Sequence, residues 1–146
     1  MDKAIVKIKM MEGCEDLLPA KAHADDAAFD LKAREEVEME PGKPVLVPTG
    51  VFMELPVGYE AQVRPRSGLS YKHALTVLNS PGTIDAGYRG EVKVIMLNAG
   101  LEPYSVKRGD RVAQMVIAKL PEVEIQAVDE LSDSTRGEGG FGSTGK

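Results

Sequence analysis

The chain has 146 residues, 42% of them hydrophobic and 28% charged, with a formal net charge of −5 and no tryptophan. That is enough for one domain with a sizeable core of Val, Ile, Leu, Met and Ala, in a globular rather than disordered chain. The acidic balance argues against general nucleic-acid or anionic-membrane binding, which draws on an excess of Lys and Arg, yet leaves room for a local cationic pocket. Cys14 is alone, so no internal disulfide forms and a reducing compartment fits. With no signal-peptide-like apolar run and no stretch near the ~18 apolar residues of a membrane span, a soluble cytoplasmic protein is expected.

Taken in order, the elements are mostly strands. Ala4, Val6, Ile8 and Met10 fall on one face of an extended segment, and Lys3, Ile5, Lys7 and Lys9 on the other, the pattern of a half-buried strand. Similar short runs follow at 32–39, 45–49, 59–64, 75–78, 91–98 and 111–118. They are punctuated by Pro41-Gly42, Pro56-Val57-Gly58, Pro81-Gly82, Ala86-Gly87, Asn98-Ala99-Gly100 and Arg108-Gly109-Asp110. Many short strands at turn-punctuated spacing predict an all-β sandwich or barrel. Ser67–His73 lacks period-two alternation and opens on a good N-cap residue, so it is predicted to be a single short helix. The apolar content falls away from Asp129 onward. Residues 1–128 are therefore expected to be the β domain, and 129–146 a mobile glycine-rich arm.

Several segments carry chemistry. Arg64-Pro65-Arg66-Ser67-Gly68 leads a strand into a helix N-terminus, where free backbone N–H groups, a hydroxyl and a guanidinium suit an anion. A capped helix with a solvated arginine is the plainer alternative. The stretch 79–90 is read as a hairpin eased by Gly82 and Gly87. In it Asp85 could deprotonate a water and Tyr88 could offer a flat ring, although Asp and Gly are also common turn residues. Asp30 sits among small apolar residues at a strand start. Gln114 lies inside an apolar strand, where its amide must find partners or occupy an edge. His23, His73 and Cys14 fall in no metal-ligand or triad spacing. The tail 136–146 holds five glycines, two hydroxyls, Phe141 and two cations. Gly140 to Lys146 fits the spelling of a Walker A loop, but lacks the strand before it and the helix after it that such a loop needs.

The order of these segments is more specific than any one of them. Ala28-Phe29-Asp30-Leu31-Lys32-Ala33, Arg66-Ser67-Gly68-Leu69, the run from Gly82 to Gly90, the run from Gly109 to Gln114, and Arg136 to Thr144 closely resemble the five ordered motifs of the trimeric deoxyuridine triphosphatase (dUTPase) family. The resemblance covers nearly the whole chain. It implies a jelly-roll-like β fold and a homotrimer with three shared active sites. It also implies hydrolysis of dUTP to dUMP and pyrophosphate, which limits uracil in DNA and supplies dUMP for thymidylate synthesis. Mg2+ is implied to ride on the triphosphate, with no direct protein ligand. Matched position by position, Asp85 resembles the base that activates water at the α-phosphorus. Asn79 and the backbone of Gly82, Thr83, Ile84 and Tyr88 are implied to read uracil, with Tyr88 packing on the deoxyribose. Arg66, Ser67, Gly68 and Gln114 are implied to hold phosphates. Phe141 is implied to stack on the base, while Arg136, Gly142, Ser143 and Thr144 close over the phosphates. Asp30 is assigned either to indirect support of magnesium and water or to intersubunit structure. The family's first motif usually has Gly where this chain has Ala28, a change tolerated unless the backbone there has positive φ. The alternatives are a dCTP deaminase-like relative, which shares the fold, and a non-catalytic dUTP-sensing module, for which a positioned Asp85 would have no use.

Overall fold

The computed structural model describes residues 3–142. Eleven strands and one helix follow in the order β1 (Lys7–Met10), β2 (Phe29–Lys32), β3 (Val37–Met39), β4 (Val45–Pro48), β5 (Val51–Glu54), β6 (Tyr59–Arg64), α1 (Ser67–His73), β7 (Leu75–Val77), β8 (Gly82–Ile84), β9 (Lys93–Asn98), β10 (Tyr104–Val106) and β11 (Arg111–Lys119). One sheet runs β2-β11-β6-β8 and a second runs β4-β9-β7, with two-stranded ribbons β1-β5 and β10-β3 at the margins. Every ladder is antiparallel. The fold is the expected jelly-roll-like all-β architecture with one short helix.

The core is aliphatic and sulfur-rich. Leu31, Met39, Leu75, Met96, Val112 and Met115 are buried between the sheets. Fully burying a side chain of this size contributes roughly 1.5–3 kcal/mol, so alternation along β9 and β11 dictates which face turns inward. Thr49 and Asn98 are the buried polar residues among those described, and Asn98 is held by three bonds. Its Nδ2 donates to Met39 O at 3.0 Å and Glu102 O at 2.8 Å, and its Oδ1 accepts from Gly100 N at 2.9 Å. It thereby closes the turn that leads to β10.

The strand at 59–64 and the helix Ser67–His73 lie where expected, and β1 keeps its predicted exposed and half-buried faces. Three expectations are corrected. The run 32–39 is two strands, because at Ala33 and Arg34 the backbone bonds to Asp110 O and Pro48 O and leaves its ladder. Ser67 is the first helical residue rather than the cap. Arg66 holds the N-cap position in an extended conformation, with no side-chain capping bond. The stretch 79–90 is not a hairpin: β8 joins β6 in one sheet, while β7 and β9 belong to the other, so this segment crosses between sheets. Ala28 is not among the residues with positive φ, so its methyl group is accommodated. β5 and β10 were not predicted; each is too short to display a period.

Candidate active site

The crossover between β7 and β9 builds a cleft of about 400 Å³ lined by Val63, Val77, Asn79, Gly82, Thr83, Ile84, Asp85, Tyr88 and Glu91, among others. Gly82 owes its place to close approach rather than unusual φ. A Cβ there would lie 3.2 Å from Asn79 Nδ2 and 3.5 Å from Val63 Cβ. The bare backbone of β8 therefore forms a flat wall, able to offer peptide N–H and C=O groups to the edge of a planar ring. Asp85 to Tyr88 is a turn closed by Tyr88 N donating to Asp85 O at 3.1 Å. Asp85 is exposed on the cleft lining, where a carboxylate is free to accept a proton from water.

Tyr88 is half-exposed, and its hydroxyl donates to Glu91 O at 2.9 Å. Glu91 is itself tied down. Arg34 Nε donates to its Oε2 at 2.7 Å, Arg34 Nη2 to its Oε1 at 3.3 Å, and Gly50 N to its Oε2 at 2.9 Å. The Arg34 hydrogen bond, aided by Gly50 N–H, holds the Glu91 carboxyl below its ordinary range against the opposing effect of burial.

A second cleft, of about 320 Å³, gathers Asp26, Ala28, Asp30, Arg66, Ser67, Gly68, Arg111 and Gln114 with flanking alanines. Its floor follows from register: in the sheet Gln114 of β11 stands opposite Asp30 of β2 on one side and Arg64 of β6 on the other. Gln114 therefore lies on a central strand, not at an edge, and its Nε2 donates to Pro65 O at 2.8 Å, fixing the corner where β6 turns into α1. Asp30 lies between two guanidiniums, 3.6 Å from Arg66 Nε and 3.7 Å from Arg111 Nη1. Arg66 Nη1 also donates to Arg111 O at 3.3 Å. Two guanidiniums thus face the Asp30 carboxylate, and Asp26 adds a second acid to the same lining. Ser67 and Gly68 present the first-turn N–H groups of α1 beside it, a combination suited to phosphate.

The two clefts share no lining residue. Arg136, Phe141 and Gly142 line neither. Arg136 Nε bonds to Gly139 O, Gly139 N to Arg136 O at 3.2 Å, and Phe141 is fully exposed. Ser143 and Thr144 lie outside the described residues. Sequence reasoning missed the roles of Glu91, Arg34 and Arg111. Arg111 opens the last strand directly after the Gly109-Asp110 turn, a position that could have flagged it. Among the described residues no group of three or more His, Cys, Asp and Glu could hold a metal ion, and Asp30 is engaged by its arginines.

A cleft with a carboxylate and a ring, together with a second cleft that sets two arginines at a helix start, gives an all-β protein with chemistry suited to a small anionic ligand. Residues 16–145 match the family model described as dUTPase. The chain is 57% identical over 129 residues to the deoxyuridine 5'-triphosphate nucleotidohydrolase of Gloeothece citriformis, covering 88% of this chain and 89% of that one. It is 51% identical over 147 residues to the enzyme of the same name from Clostridium tetani, covering all of both chains. Among solved structures it is similar to a dUTPase variant of Staphylococcus bacteriophage 80alpha with dUpNHpp, with a TM-score of 0.88, 29% identity, and coverage of 97% of this chain and 99% of that one. It is also similar to a dUTPase variant of phage phi11 of S. aureus described with a structural Mg(II) ion, with a TM-score of 0.79, 25% identity, and coverage of 88% and 99%. The chain belongs to the dUTPase family, and is an enzyme of the hydrolase class.

Proposed function

We infer that the protein hydrolyses dUTP to dUMP and pyrophosphate, with Asp85 as the base that activates water for attack at the α-phosphorus. The observation that carries this reading is the placement of Asp85 in the same cleft as Asn79, the Gly82–Ile84 backbone and Tyr88. Uracil lies against β8, its edge paired with main-chain groups and with Asn79. The deoxyribose packs on the Tyr88 ring, leaving no room for a 2′-hydroxyl. Asp85, on the turn after β8, then faces the first phosphate. Base catalysis and charge neutralisation suffice here, because phosphoryl-type displacement depends on positioning more than on a covalent intermediate. Magnesium bound to the triphosphate supplies further charge neutralisation. Asp30, held by Arg66 and Arg111, orients the two guanidiniums.

The two clefts have no lining residue in common, and this reading draws the complete site from more than one copy. The reading is a homotrimer in which one copy supplies the nucleoside cleft, another Arg66, Ser67, Gly68 and Gln114, and a tail supplies Arg136, Phe141, Gly142, Ser143 and Thr144. Two features support it. Phe141 is fully exposed and lines neither cleft of its own chain. Val123 and Ile125, alternating with Glu122 and Glu124, are exposed on the segment that leaves β11. Sedimentation at the mass of one chain at micromolar concentration would count against it.

Among the described residues no helix is long and apolar enough to cross a membrane, and the single cysteine suits a reducing compartment. Pyrophosphate release measured over dUTP, dTTP, dCTP and UTP with magnesium tests the whole reading. Selective turnover of dUTP is expected; ammonia release from dCTP, or binding of dUTP without turnover, would overturn it.

A further inference from the structure

We propose that Glu91 and Arg34 form a positioning device for Tyr88, and so set the preference of the site for deoxyribose. The inference rests on the dUTPase reading above. Its basis is that Glu91 belongs to two networks at once. Through its backbone it accepts the Tyr88 hydroxyl at 2.9 Å. Through its carboxylate it is gripped by Arg34 at 2.7 and 3.3 Å and by Gly50 N–H at 2.9 Å. The following residue is fixed as well: Val92 N donates to Val51 O at 2.8 Å, and Val92 O accepts Thr49 Oγ1 at 2.6 Å. The carbonyl that orients the tyrosine is thus held by the link between β4 and β5, by β5 itself and by the loop after β2.

Gly90 completes the device. A Cβ there would overlap Tyr88 Oη and stand 2.7 Å from Cζ, so the ring folds back across a residue with no side chain. The ring is about half-exposed. Its hydroxyl end is held by the bond to Glu91 O, so its orientation follows where that carbonyl points. The ion pair is well shielded, with side-chain exposures of 25% for Arg34 and 10% for Glu91, so solvent screens it weakly. Arg34 is not on the cleft lining, and the Glu91 carboxylate is committed to Arg34 and Gly50 N–H, so the pair acts through Tyr88.

The test compares Glu91→Ala, Glu91→Gln and Arg34→Gln with the unaltered protein, using KM and kcat for dUTP and for UTP. Glu91→Ala is expected to raise KM for dUTP and to lower the dUTP-over-UTP preference, each by roughly tenfold, the scale on which a displaced wall alters discrimination. The fall in kcat should be smaller. Glu91→Gln, which keeps the shape and the Gly50 bond, should recover part of the preference. Tyr88→Phe combined with Glu91→Ala should discriminate no worse than the poorer single variant, because both act through one ring. Additive losses, or an unchanged preference in folded Glu91→Ala, would overturn the proposal. If Glu91→Ala does not fold, Arg34→Gln must show the same loss of preference, and its failure to do so overturns the proposal equally. The Cζ resonance of Tyr88 in ¹³C-tyrosine protein, assigned by its loss in Tyr88→Phe, reads the hydroxyl bond without turnover. It should move in Glu91→Ala and Arg34→Gln, and a resonance that stays put overturns the positioning. An unaltered protein that does not hydrolyse dUTP would sink the functional reading while leaving this resonance to decide the positioning.

Discussion

The two clefts and the tail are built on opposite principles. Each cleft is assembled from distant parts of the chain and locked by cross-strand bonds: Arg34 to Glu91 across 57 positions, Gln114 to the Pro65 carbonyl across 49. The tail is assembled from neighbours only, with bonds among Ser134, Arg136, Gly137 and Gly139. The clefts are thus shaped before a ligand arrives, whereas Arg136 and Phe141 of the tail are exposed to solvent. Preformed walls can set which base and sugar are accepted; a segment of this second kind can supply contacts only after a ligand or another copy gives it a surface.

The largest expected break comes from the clefts. Asp85→Asn should leave dUTP binding nearly intact while cutting pyrophosphate release by roughly 10²–10⁴-fold, the usual contribution of a general base. Titration with a non-hydrolysable analogue beside single-turnover kinetics separates the two; normal turnover in this variant would remove Asp85 from its role. Removing the tail is next. Truncation after Ser134 should leave a folded oligomer, because none of the core lies beyond β11. Turnover should fall about 100-fold as water and misaligned phosphates enter the site, in line with the cost of about 1 Å of misplacement. Full activity after truncation would make the tail dispensable. Arg66→Gln should be milder, raising KM roughly tenfold or somewhat more for the loss of a charge-assisted bond of about 1.5–3 kcal/mol. Because Asp30 keeps Arg111, the fold should survive, which thermal melting would register.

How much of this was legible in the sequence depends on the range of the interaction. β1, β6 and α1 could be read because alternation, or its absence, is local. Asn79, Gly82, Asp85 and Tyr88 could be read as one unit because they lie within ten residues and share one cleft. The crossing of that segment between sheets could not, since a turn-rich stretch looks the same whether it merely links the paired strands β7 and β9 or sends β8 across to β6 on the way. Nor could the Arg34–Glu91 pair: Arg34 resembles any solvated charge after a strand, and Glu91 was only the first residue of a run. Ser67 misled for a related reason. Ser is a good cap, but here the extended Arg66 takes the cap position and leaves the hydroxyl uncommitted beside the second cleft.

The smallest effect asks whether the rigidity of the nucleoside cleft has an electrostatic component. The Glu91 carboxyl is held below its ordinary value of 4.5 by the Arg34 bond, with burial opposing. In the window below that value the unfolded chain takes up a proton that the folded chain still refuses. The stability from this pair is therefore fully present above about pH 4.5 and is lost as pH falls through the depressed folded value. Glu91→Gln should cost roughly 1.5–3 kcal/mol at neutral pH, the range for hydrogen bonds to a charged group. It should also flatten the acid limb of stability relative to the unaltered protein. Asp16, lowered by Arg108 on another face, titrates in both proteins and cancels in the difference. Denaturant melts between neutral pH and acid, subtracted one protein from the other, read the effect. Parallel curves would mean that shape alone, and not the ion pair, holds the wall behind Tyr88.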